Sequence, residues 1–211
     1  MATLRLLCLS ILLTSCYSLQ VTDGIQVRED IARGSTRLEW DNVYYFPIEP
    51  GTPLVKMYQS VVKEIDQEHN NLYQFYDLLL FRPGSHELEK EAYLILDDRI
   101  VVTLDINTFH RELSTKINEE TGRALNDDQE EISVVTGYSQ ITRKNYKVEY
   151  SISQKVMDMV LEAESIQFRY YAGPDMITLP LSGYRLRQLK SLVALDAESI
   201  AAENNSRSFF H

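Results

Sequence analysis

Cysteine is nearly missing from this 211-residue chain: it has two, Cys8 and Cys16, both near the N-terminus. No disulfide framework can staple the rest, and no cysteine cluster there can ligate zinc. The four histidines form no H-E-x-x-H pair, and the eight glycines form no phosphate-cradling loop. There is no G-x-S-x-G elbow and no S-x-x-K motif. Basic residues are outnumbered, 21 Lys and Arg against 31 Asp and Glu, for a net charge of −10. That balance argues against nucleic-acid binding, which needs clustered cations to displace counterions, and against electrostatic docking on anionic lipid. No apolar run approaches the roughly 20 residues of a spanning helix. No cofactor and no metal are expected. Asp66 and His69 are three apart, a spacing more often found on a solvated polar face than at a metal. The run Asn126–Glu131 lacks the alternating ligands and glycine of a calcium loop.

What is present begins at the N-terminus. Arg5 precedes the apolar stretch Leu6–Leu13, and a small-residue step then leads into Cys16. This is the layout of a secretory signal. Leu13-Thr14-Ser15-Cys16 resembles the lipobox of bacterial lipoproteins. The resemblance implies cleavage after residue 15, lipidation of the Cys16 thiol and stable anchoring through two or three acyl chains. In Gram-negative members Asp after the cysteine favours the inner membrane; Tyr17 here implies the outer membrane, facing the periplasm. Two other readings remain open: an ordinary secretory cleavage that discards Cys16, and a buried apolar element. The resemblance covers about sixteen residues and speaks only to export and anchoring. The triplet Asn204-Asn205-Ser206 fits a glycosylation acceptor and carries little weight.

Residues 16–36 are polar, contain two glycines and lack a sustained period, which suggests a lipidated cysteine followed by a flexible tether. A flexible tail is expected over 197–211. Between them the second half reads most clearly. Tyr146–Ile152 alternates as a strand, Ser153 suits an N-cap, and Val156, Met159, Val160 and Ala163 follow at helical spacing. Ile166–Tyr170 and Ile177–Leu181 flank a turn at Ala172-Gly173-Pro174-Asp175, and Ser182 or Gly183 opens a last helix. The first half suggests the same order. Leu38–Phe46 is strand-like. Pro53 starts a helical pattern through Leu54, Tyr58, Val61, Val62 and Ile65. Tyr93–Leu96 and Ile100–Ile106 form a hairpin around Asp97-Asp98-Arg99, and a helix begins at Asn107 with Phe109 and Leu113.

The expected fold class is α+β, antiparallel sheets packed on helices, with a candidate duplication into two βαββα lobes. The first lobe would span 37–113, the second 132–196, with 114–131 as a linker. Thirteen tyrosines are the most suggestive feature of composition. Tyrosine offers a flat apolar ring with a polar tip, useful at interfaces and common in half-buried strands. Tyr44, Tyr45, Arg169, Tyr170 and Tyr171 are the candidate binding residues. The leading functional expectation is a protein-binding or assembly module of the cell envelope. The alternatives are a glycan-acting or hydrolytic enzyme using paired carboxylates, and a carrier of lipid or another small ligand.

Overall fold

The computed structural model describes residues 19–22, 24–47, 52–125, 130–196 and 199–200. Cys16, most of the tail 197–211 and the tip 126–129 lie outside them. The strands are β1 (Leu19–Thr22), β2 (Ile25–Asp30), β3 (Ser35–Tyr45), β4 (Leu54–Ile65), β5 (Asn71–Phe81), β6 (Leu88–Leu96), β7 (Ile100–Leu125), β8 (Glu131–Ile152), β9 (Ile166–Ala172) and β10 (Asp175–Leu181). Helix α1 (Gln154–Glu162) lies between β8 and β9, and α2 (Gly183–Ala194) follows β10. One antiparallel sheet runs in the order β1-β2-β3-β4-β5-β8-β7-β6-β9-β10.

This corrects the expected α+β class and the two βαββα lobes: the protein is mainly β. The helix expected from Pro53 is strand β4, and the one expected from Asn107 is part of β7. The reason lies in the inward row of β4. Leu54, Met57, Gln59, Val61, Lys63 and Ile65 all point to the core, but Gln59 and Lys63 read as polar and hide the alternation. Val62, buried on the opposite face, adds a spurious helical pair with Val61. Without that helix the first half has no counterpart of α1, and the repeat disappears. The segment expected as a tether carries β1 and β2, with Ile25 and Val27 buried. The C-terminal half follows its pattern element by element: the end of β8, α1, the β9–β10 hairpin and α2. The β6–β7 hairpin also turns at Asp97-Asp98, both in the left-handed region at φ 50° and 55°.

The sheet curls over itself. Phe75 of β5 and Phe168 of β9 are four strands apart, about 19 Å if the sheet were flat. Their ring centroids are 5.6 Å apart, and Phe75 also stacks on Tyr150 at 5.3 Å. The inward rows of the two halves thus share one core, and α1 and α2 cover it beside β5 and β3. Met157 and Val160 of α1 and Leu189, Leu192 and Val193 of α2 supply the buried faces. Lys63, 2 % exposed, donates to the carbonyl of Val193 at 2.8 Å and to that of Leu195, and so caps the C-terminus of α2.

Candidate functional site

Strands β7 and β8 are far longer than the sheet that holds them. β6 pairs with β7 only up to Leu104, and β5 pairs with β8 only from Asn145 onward. Between these limits the two strands pair only with each other, as far as Leu125 and Glu131. The result is a two-stranded arm of about 40 Å beyond Glu112, both of its edges open. Its sequence is suited to strand: Thr115, Ile117, Thr121, Ile132, Val134 and Val135 are β-branched, and no proline interrupts either run. The expected linker 114–131 therefore supplies, apart from its undescribed tip, the outer half of this hairpin.

The root of the arm is fastened from the β5–β6 loop. Glu87 accepts hydrogen bonds from the Tyr146 hydroxyl and from Lys144 Nζ at 2.9 Å, and its carboxylate meets Arg111 at 3.1 Å. Tyr146, Lys144 and Arg111 together hold the Glu87 carboxyl down to about 2. Lys144 also donates to the Ser85 carbonyl at 2.7 Å. The ring of Tyr146 packs edge-on against Phe81 and tilted against Phe109, so both strands leave the body from a packed aromatic base. Farther out the arm is held by its own pairs: the Thr115 and Thr142 hydroxyls at 3.3 Å, and Arg123 with Glu131 at 3.1 Å.

Strand alternation carries the core-facing row out onto the arm. Phe109 and Tyr146 belong to that row; continuing along it, Leu113, Ile117, Tyr138 and Val135 share the same face. There is no core beyond the root to bury them, and they are 55 %, 66 %, 68 % and 49 % exposed. A two-stranded ribbon is at best marginally stable alone in water, and open edges with exposed apolar residues invite a partner strand. These residues were not among the sequence-derived candidates. The signal was present as two alternating runs on either side of the turn-forming Asn126-Asp127-Asp128, a hairpin signature in what reads as a polar linker.

Two of the tyrosine candidates meet in the core and the others are dispersed. Tyr170 is buried; its hydroxyl donates to Asp77 and lies 3.3 Å from the Tyr150 hydroxyl. Burial pushes the Asp77 carboxyl up to about 6 and both tyrosines well above their usual value. Tyr44 is buried too, under the Arg185 guanidinium at 4.7 Å, its hydroxyl 3.4 Å from Gln59 Oε1. Tyr45 is 75 % exposed, with Lys56 over its ring. Arg169 and Tyr171 lie half-buried on the outer face of β9, where Tyr171 meets Tyr93 edge-on at 5.9 Å. Five strands separate β3 from β9 in the sheet, yet the curl brings Tyr44 and Tyr170 to the same buried acid, Asp77; Tyr45, Arg169 and Tyr171 do not join them there.

On the outer face at the foot of the arm, Val43, Tyr58, Tyr76, Leu78, His110 and Lys147 line a concavity of about 710 Å³. Among the described residues, no group of three His, Cys, Asp or Glu could hold a metal ion, and no helix is long and apolar enough to cross a membrane. No family model, curated protein or solved structure matches the chain.

Proposed function

We propose that this protein is a lipid-anchored component of a bacterial cell envelope that acts by binding a protein partner through the β7–β8 arm. The observation that carries the reading is the arm itself: a long ribbon with open edges, apolar residues on one face and a fastened root. Such a feature suits β-strand addition, where backbone hydrogen bonds supply affinity and side chains on one face supply selectivity. The placement in the outer membrane, facing the periplasm, rests on Leu13-Thr14-Ser15-Cys16 and on Tyr17. Only Tyr17 and Ser18 lie between Cys16 and β1, so an anchored chain holds that sheet edge within about 10 Å of the lipidated residue.

The test is capture of partners by the full-length protein from its own envelope, compared with a variant lacking the arm. Glu112 and Asn145 face each other across β7 and β8, so an Asn-Gly turn joining them shortens the hairpin without touching the core. Loss of the captured partner with cooperative thermal unfolding of the body retained is expected. Equal capture by both forms, or no specific capture by the parent, overturns the proposal.

A second reading, carriage of a small apolar ligand, draws on the outer concavity of about 710 Å³ with Tyr58, Tyr76 and Leu78 in its lining. It lies outside the sheet, not between sheet and helices. A naphthylamine dye would bind there and be displaced by Leu78→Arg; no binding removes this reading.

A further inference from the structure

The geometry points to a second copy of this chain as the strand that covers the open edge of β7, paired antiparallel about a dyad at Thr115. The inference rests on the arm being the docking element, and two observations carry it.

The first is where the edge begins and ends. β7 loses its β6 neighbour after Leu104 and stops at Leu125, so its open edge runs from Asp105 to Leu125. Thr115 is its midpoint. Two identical antiparallel strands related by a dyad show the same face on the same side, so the dyad must fall on a residue. A dyad at Thr115 centres the pairing on that edge and matches the regular stretch from Thr108 to Gly122 against itself, beyond the bulge at Asn107.

The second is what each register sets opposite what. A dyad at Lys116, Glu119 or Glu120 places that charge against itself, and a dyad at 117 sets Arg111 against Arg123. Like charges directly opposite destabilise a strand pair. With the dyad at 118, Leu113 faces Arg123 and Ile117 faces Glu119. With it at 114, Ile117 faces Arg111 and Leu113 faces Thr115. Only with the dyad at Thr115 do Leu113 and Ile117, the exposed large apolar residues of the open edge, meet: Leu113 faces Ile117 of the other copy, twice by symmetry. The same register sets Arg111 opposite Glu119 and His110 opposite Glu120, with no like charges opposed. An isologous contact of this kind closes on itself and stops at a dimer. It turns two marginal ribbons into one four-stranded sheet.

The experiment is oxidative cross-linking of the full-length protein in its own membranes, read on a non-reducing gel. At the dyad the two Cα atoms of residue 115 would be about 5 Å apart, within disulfide reach. The two copies of residue 118 would be about 20 Å apart along the ribbon. Thr115→Cys is expected to give a band at twice the mass of the parent's monomer band, well above any dimer that the parent itself produces. Asn118→Cys is expected to stay at the parent's level. Adding Leu113→Lys with Ile117→Lys should reduce the Thr115→Cys band at least several-fold. No dimer with Thr115→Cys, equal dimer at both positions, or a cross-link to a different protein overturns the inference. In those cases arm-dependent capture of an envelope partner still decides the proposed function separately.

Discussion

The Tyr170 hydroxyl donates a hydrogen bond to Asp77 across 93 residues of sequence, joining the two halves of a sheet that has curled over itself. Asp77 stands on β5 beside Phe75, and Tyr170 on β9 beside Phe168, so the polar contact lies next to the ring contact that defines the core. The second oxygen of Asp77, Oδ1, finds no hydrogen-bond partner among the described residues. The acid therefore depends on Tyr170, and on remaining protonated.

That dependence predicts a pH effect. Burial raises the Asp77 carboxyl from 3.8 to about 6 in the folded state. Between these values the folded protein holds a proton that the unfolded chain has released, so this group's stabilisation is full below about pH 4 and lost as pH rises through 6. The loss is on the order of 3 kcal/mol. Glu87 acts in the opposite direction but at lower pH, since its carboxyl is held down to about 2. Urea denaturation should therefore show stability falling from pH 5 to pH 7, and Asp77→Asn should flatten that slope. An unchanged slope in the variant contradicts the assignment.

Removing the donor should also be costly. Tyr170→Phe keeps the ring packing but leaves a buried acid without its hydrogen bond, at about 1–3 kcal/mol. Tyr171→Phe, on the outer face, is expected to change stability by less than about 0.5 kcal/mol. Comparable losses in the two variants would place the polar contact elsewhere.

Lys63 offers a local test. Burial lowers its ammonium to about 8, and it supplies hydrogen bonds to two carbonyls at the end of α2. Lys63→Met fills the space without the donor, and should cost about 1–3 kcal/mol. Amide exchange should accelerate first in the last turn of α2, around Val193; uniform acceleration across the sheet would argue against a capping role.

The proposed anchor is checked by Cys16→Ser. If the thiol carries acyl chains, the variant should move from the membrane fraction to the soluble fraction and lose incorporation of labelled fatty acid. Unchanged retention and labelling would refute lipidation at this residue.

Wherever apolar periodicity and capping residues agree with the final packing, the sequence was legible. Ser153, Gly173 and Ser182 punctuate the chain from β8 to α2, and the observed elements begin and end at them. Local chemistry decides those boundaries: proline fixes φ, glycine admits the left-handed φ that the turn at Gly173 uses, and a switch in period changes which face is apolar. Composition likewise kept disulfides out of residues 17–211, which contain no cysteine, without reference to the fold.

Tertiary structure decided what β4 is and what β7 and β8 do. Gln59 and Lys63 sit in a buried row because Tyr44 stands within reach of the first and α2, 130 residues downstream, accepts from the second. No local pattern encodes those partners. The arm follows the same logic in reverse. Alternation in 109–117 and 132–138 belongs to strands, but whether a strand edge is covered depends on where its neighbours stop. β6 covers β7 only as far as Leu104 and β5 covers β8 only from Asn145, and that geometry turns an apparent linker into an exposed ribbon. Periodicity is a property of one segment, while an open edge is a property of the segments around it.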